Sequence, residues 1–206
     1  VLSLTLGIGA NAAIFQVMDA VRLRTLPVSH PEQLLEVRIA RPRVFTGNTF
    51  SRYAELSNPQ WEQIRNLQEA FSGVLAWAPQ SMNLSASGEV RRAEGLVVSG
   101  SFFEVLGVPA ARGRVFTGAD DQRGCAATSA VISHAFWQRE YGGEPAVVGR
   151  RIRLDNHLFN VIGVTPPAFH GVEVGRSFDV AIPICAAAVL SPDAGLIDRS
   201  YVWWLS

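Results

Sequence analysis

VLSLTLGIGANAAIFQVMDAV, residues 1–21, decides how the rest of the chain is read. Its first charge is Asp19, and wound as an α-helix the run reaches about 30 Å, close to the hydrocarbon thickness of a bilayer. Residues 1–22 are therefore expected to form one transmembrane helix whose start lies upstream of Val1, with Arg22 and Arg24 at its exit. Two arginines favour a cytoplasmic end, but orientation depends on both flanks, and one flank alone leaves it open. A cleaved signal peptide is the competing reading. Against it, the run carries Asn11 and Gln16 and has no small-x-small cleavage site after its apolar part.

Ser3 with Gly7, and Gly9 with Ala13, are small-xxx-small pairs of the kind that let a second helix approach closely in a membrane. Gly9, Ala12, Gln16 and Asp19 share one helical face, and polar groups on a spanning helix seldom face lipid. Asn11, Gln16 and Asp19 thus imply partner helices, unless Gln16 and Asp19 sit in water at the interface. Gly7 to Ala12 also fits GxGxxG/A, the dinucleotide-binding turn, with Arg41 or Arg43 placed to meet a 2′-phosphate. An NADP-dependent oxidoreductase is the rival that this motif raises. It is disfavoured because the preceding run is leucine-rich and no series of βαβ units follows.

The remaining composition excludes several classes of function. Net charge is zero, with 18 basic and 18 acidic residues and no long run of either sign, so no footprint for nucleic acid exists. Every basic residue is Arg, which removes Schiff-base lysines and the P-loop. Charged residues are 17% of the chain, below the usual quarter or so of a water-soluble domain, and the mean hydropathy is +0.17. Cys125 and Cys185 show no CxxC and no nearby His, so zinc is not expected. They can pair in an oxidising compartment, although buried apolar fillers are the favoured reading of two isolated cysteines.

Beyond the anchor the polarity is that of a water-soluble fold of mixed α and β content. Leu34, Val37 and Ile39 form a strand-like run before Arg41-Pro42-Arg43. Ser57-Asn58-Pro59 offers a cap and an N1 proline for a helix whose Trp61, Ile64, Leu67 and Phe71 recur at helical spacing until Gly73. Strands are expected within 74–84 and 90–98, then a short helix through Leu106, boxed by Ser101 and Glu104 and stopped by Gly107 and Pro109. Ala130-Val131-Ile132 reads as a strand, and Ser133 as the cap of a helix carrying Phe136, Trp137 and Tyr141 that ends at Gly142-Gly143. Alternation on both sides of Asp155-Asn156 predicts a hairpin closed by Pro166-Pro167, and a second β-rich unit begins near residue 111.

No constellation stands out as catalytic. Asp120-Asp121 is the only adjacent carboxylate pair, and sequence neighbours seldom converge on one substrate, so a loop or cap is expected there. His30, His134, His157 and His170 are dispersed, without HExxH or HxH spacing, and no GxSxG surrounds a serine. Trp77, Trp137, Trp203 and Trp204 are read as packing residues, since no basic residues interleave them. Catalytic, cofactor-binding and metal-binding residues are therefore all expected to be absent.

With these segments in view, the chain resembles the periplasmic core domain of MacB-type ABC transporter permeases, of the orphan-permease, FtsX-like superfamily. The residues that carry the likeness are LGIGANAAIFQVMDAVRLRTLP at 6–27, VSGSFFEVLGVPAARGRVFTGADD at 98–121 and VISHAFWQREYGGEPAVVGRRIRLDNHLFNVIGVTPPAFHG at 131–171. The resemblance implies an α+β fold in which one transmembrane helix, residues 1–22, precedes a porter-like βαβ unit, residues 23–110, with the helix's C-terminal end facing the periplasm. A β-rich subdomain, 111–195, interrupts the porter unit, which resumes with a returning strand in 196–206. It also implies a non-enzymatic subunit in the inner membrane with its main domain in the periplasm. Its partners would be the permease's other transmembrane helices, a cytoplasmic ABC ATPase, a periplasmic adaptor, an outer-membrane channel and a second copy in a homodimer. Relatives export macrolides, peptides or toxins, or release lipoproteins. A non-transporting sensory or scaffold module on the same anchor is the alternative. Gly7, Gly9, Asn11 and Asp19 carry over as structural residues of the helix.

Overall fold

The apolar periodicities resolve into elements in a computed structural model that describes residues 9, 26–38, 48–49, 56–85, 90–125, 128–173 and 175–206. The strands are β1 (Asn48–Thr49), β2 (Leu56–Ser57), β3 (Trp77–Asn83), β4 (Arg92–Val98), β5 (Arg112–Gly113), β6 (Ser129–Ile132), β7 (Arg151–Leu154), β8 (His157–Val164), β9 (Val180–Pro183) and β10 (Val202–Leu205). The helices are α1 (Asn58–Leu67), α2 (Phe102–Val105), α3 (His134–Tyr141) and α4 (Ile184–Leu190). The mixed α and β content expected from the sequence is thus present.

Among the described residues the larger sheet runs β3-β4-β9-β6-β8-β5, with β7 beside β8. Pairing is parallel between β4 and β9 and between β6 and β8, and antiparallel elsewhere. Successive residues of its central strands alternate between two apolar clusters, as the two-residue repeat of an extended chain requires. Val97, Ala130, Ile132, Val180 and Ile182 belong to one cluster; Leu96, Val98, Val131 and Ala181 belong to the other. Burial on both faces is why 130–132 and 180–183 read as unbroken apolar runs. β4 precedes residue 111 and its partner β9 follows it, so strands from both segments share this sheet.

A second, small sheet has the order β1-β10-β2, with β10 parallel to β1 and antiparallel to β2. Trp77 and Ser206 exchange backbone hydrogen bonds of 3.0 and 2.8 Å, which join this sheet to the start of β3.

Local chemistry accounts for most of the boundaries. Ser133 Oγ accepts the Phe136 N–H at 3.1 Å and Gly142, at φ +59°, ends α3 as expected. Asp155 and Asn156 both take positive φ, 45° and 68°, which gives the β7–β8 hairpin the mirror-image turn suited to twisted strands. α1 has Ser57 as its cap, as expected, with a capping box to Gln60 that was not anticipated and Pro59 in the second helical position rather than the first, but it stops at Leu67 and does not continue to Gly73. Gln68 leaves the helical region at ψ 140°, and its side chain accepts the Phe71 N–H at 2.9 Å, which fixes a turn in place of another helical one. Leu67 and Phe71 are consequently 77% and 40% exposed.

Two further expectations need correcting. No capping box forms at α2: Ser101 is itself helical in φ/ψ, and its hydroxyl donates to the Val74 carbonyl at 2.8 Å. Residues 34–38 form no strand; they follow a 3₁₀ turn at Pro31–Gln33 and leave Leu35 and Val37 exposed, and Ile39 lies outside the described residues. Among the described residues no helix is long and apolar enough to cross a membrane. The helix expected at 1–22 lies outside them apart from Gly9, which is helical and exposed.

Candidate functional site

The adjacent carboxylates Asp120 and Asp121 point into opposite environments. Asp120 closes a 3₁₀ turn, Gly118–Asp120, accepting the Thr117 N–H at 2.9 Å and the Thr117 hydroxyl at 3.0 Å. Arg114 grips both of its oxygens, at 2.7 and 2.8 Å. Chiefly through that bidentate pair, its carboxyl is held down at about 2. Asp121 is buried; one oxygen accepts the Gly100 N–H at 3.1 Å and the other the Cys185 N–H at 2.9 Å. Burial pushes its carboxyl above the ordinary range, and the two amides pull the other way without cancelling it. Each carboxylate is committed to its own partners, and the pair does not converge on any shared point.

β4 and β9 end side by side, with Val98 opposite Pro183, and Gly100 and Cys185 each stand two residues beyond. Asp121 therefore ties together the ends of two parallel strands. The 117–121 loop can come this close only because residue 100 is glycine: a Cβ there would collide with the Thr117 carbonyl oxygen and the Gly118 Cα.

Cys125 and Cys185 form a disulfide, with Cα atoms 5.9 Å apart, which corrects their reading as fillers. The Asp121 contact to Cys185 brings the loop and the start of α4 within reach of each other. Arg123, between Asp121 and Cys125, donates from Nε and Nη2 to the Glu62 carboxylate on α1 at 2.8–3.1 Å, and from Nη1 to Asp198 at 2.8 Å. Mainly through that guanidinium, the Glu62 carboxyl lies below its ordinary value. Loop 117–125 thus meets four segments remote in sequence: the end of β4, the start of α4, α1 and the residue-198 turn. Beside Cys125 opens a pocket of about 380 Å³ lined also by Gln122, Arg123, Thr128, Ser129 and Pro183.

A larger cleft of about 1340 Å³ is lined by Leu34, Trp61, Phe71, Trp77, Leu106 and Trp204 among others. Trp137 and Trp204 are buried, and their indole N–H groups donate to Glu144 and Leu196 carbonyls at 2.9 Å. The indole N–H of Trp61 is buried without a partner among the described residues. His30 lies 3.4 Å from Glu32 and His134 packs edge-on to Trp137. Among the described residues no cluster of three or more His, Cys, Asp or Glu could hold a metal.

Of the residues singled out for helix packing, Ser3, Gly7, Asn11, Ala13, Gln16 and Asp19 lie outside the described residues, and Gly9 has open space where a side chain would be. The joints made by Asp121, Arg123 and the disulfide escaped sequence reasoning. The Asp121 tie depends on β4 lying beside β9, and the others join segments 60 or more positions apart, so no local spacing announces them.

Comparison with known proteins gives the functional frame. The model of the MacB-like periplasmic core domain matches residues 1–202. The extracellular domain of the noncanonic ABC-type transporter YknZ from Gram-positive bacteria is 18% identical, with a TM-score of 0.51 over 71% of this chain and 70% of that one. The periplasmic region of MacB from Actinobacillus actinomycetemcomitans is 16% identical, with a TM-score of 0.52 over 78% of this chain and 70% of that one. At such identities these two likenesses concern the fold. None of the curated proteins matches the sequence. Because the family match spans nearly the whole chain, this protein belongs to the MacB-like periplasmic core domains, the non-enzymatic extracytoplasmic domains of ABC-type transporter permeases.

Proposed function

We propose that the chain is part of a permease subunit whose extracytoplasmic domain couples movement of transmembrane helices to export or extrusion. The carrying observation is the family match from residue 1 to 202, which takes the apolar run and the folded domain as one unit. In this reading residues 1–22 belong to a bilayer-spanning helix, and Ser3, Gly7, Gly9, Asn11, Ala13, Gln16 and Asp19 pack it against the permease's other helices. Residues 23–110 and 196–206 make the porter-like unit, and 111–195 the insertion. The return of β10 between β1 and β2 supports that division.

The disulfide supports an extracytoplasmic setting, since such bonds persist in oxidising compartments. Mechanical coupling needs a stiff body, and loop 117–125 supplies cross-links between remote segments. A cytoplasmic ATPase, a periplasmic adaptor, an outer-membrane channel and a second copy are the partners this reading invokes. Membership in a non-enzymatic family sets aside the oxidoreductase reading of Gly7 and Gly9. Fractionation of the intact protein tests the anchor: it should stay in membranes washed with alkaline carbonate, and release into the wash would overturn it. Coupling is tested by co-purifying the protein with an ATPase and comparing ATP turnover with and without the domain. Unchanged turnover would favour the sensory or scaffold alternative.

A further inference from the structure

We propose that the Cys125–Cys185 disulfide is a thiol-exchange site for an extracytoplasmic dithiol protein, and that opening it releases the Arg123 clamp on α1. The inference goes beyond the permease reading and does not require transport.

The two cysteine residues differ in exposure. Cys185 is 9% exposed, and its Sγ lies 3.5 Å from the Asp120 carbonyl oxygen. Cys125 is half-buried and lines the 380 Å³ pocket, whose other walls are mostly small or polar. An incoming thiolate therefore reaches Cys125 Sγ first. Attack there forms a mixed disulfide and expels Cys185 as thiolate, which takes up a proton; as a thiol it has the Asp120 carbonyl as a ready acceptor. The reductant's second thiol, deprotonated, then attacks its own sulfur in the mixed disulfide. Cys125 leaves and is protonated, and the dithiol departs as an intramolecular disulfide. Two electrons and two protons pass from the dithiol to the protein.

The consequence follows from where the cysteines sit. Arg123 is two residues from Cys125, and its guanidinium is more than half exposed where it meets Glu62 and Asp198, so these pairs hold only weakly by themselves. They last while the backbone that carries Arg123 is fixed. Asp121 fixes one side of the loop through Gly100 and Cys185, and the disulfide fixes the other. With the disulfide open, residues 122–125 lose their covalent hold between Asp121 and the start of β6, and the Arg123 tie from this loop to α1 and the 195–199 turn slackens, while Trp61 and Leu196 stay packed on the large sheet.

The test uses the purified intact protein in detergent, without denaturant. Dithiothreitol is the probe reductant, maleimide labelling counts the thiols, and amide hydrogen exchange maps the response. The expected result is ready labelling of both cysteines and exchange about tenfold faster in α1 and residues 195–199, with the β7–β8 hairpin unchanged. A disulfide that yields only under denaturant, or reduction that leaves α1 protection unaltered, overturns the proposal. Arg123→Ala in the oxidised protein should speed exchange in α1 without reduction, and failure to do so removes the clamp. Cys185→Ser should leave Cys125 reacting with an aromatic disulfide reagent at least about tenfold faster than Cys185 reacts in Cys125→Ser, as thiol exchange follows access. Equal rates contradict the assigned point of attack.

Discussion

The two faces of the large sheet are closed in different ways. One lies under α1, α3, α4 and β10, which supply Trp61, Phe136, Ile184, Ala186, Ala187, Trp204 and Leu205. The other is closed by the four-residue helix α2 and irregular chain, and its filling is largely phenylalanine: Phe102, Phe103, Phe116, Phe169 and Phe178. Their rings meet mostly edge to face, with centroids 5.2–6.5 Å apart. A helix pairs its own backbone groups and lays a row of side chains on the sheet, so even alanines contribute. Irregular chain delivers few inward side chains, so each must bring a large apolar area. It also pairs few of its own amides, which is why a loop such as 117–125 is held by side-chain acceptors and a covalent bond.

The largest effects should come from the phenylalanine face. Phe102→Ala and Phe103→Ala remove fully buried rings from the four-residue helix α2, which is too short to close the gap, and each should cost about 3–5 kcal/mol in denaturant titration. Ala187→Gly, on the helical face, should cost about 1 kcal/mol; equal losses would dissolve the contrast. Replacing Cys125 and Cys185 together by serine frees a loop with a sequence separation of 60 and should cost about 2–4 kcal/mol. Asp121→Ala leaves the Gly100 and Cys185 amides buried and unpaired, a loss of roughly 1–3 kcal/mol, with the first exchange changes at the ends of β4 and β9.

The effects of pH on the two adjacent carboxylates oppose each other in sign. Asp120, at about 2 when folded against 3.8 as its ordinary value, adds stability that is complete above the ordinary value and is lost as pH falls toward 2. Asp121, raised when folded, favours the fold when protonated, and that contribution fades as pH rises through the ordinary carboxylate range and beyond. Acid titrations of Asp120→Asn should lose the first slope and retain the second.

How much of this the sequence disclosed follows the range of each interaction. The β7–β8 hairpin and α3 were legible because turn, cap and stop all fall within a few residues of the element they define. α1 was legible at its start and not at its end, since Phe71 keeps the helical period while Gln68 breaks the backbone. Ser101 carries the sequence of a capping box, but a carbonyl 27 positions away takes its hydroxyl. The Asp121 tie and the disulfide depend on which strands become neighbours, a property of the finished sheet and not of any window along the chain. The MacB-like resemblance supplied the family where periodicity could not.

β10 lies between β1 and β2, so those two short strands touch the last strand and not each other. Whatever the rest of the chain has done, the small sheet cannot close until residue 202 has been made and delivered. At common rates of synthesis the edges of β1 and β2 stand open for on the order of ten seconds. For a protein that folds beyond the membrane, assembly of this corner is therefore timed by the arrival of the chain more than by the speed of its own pairing.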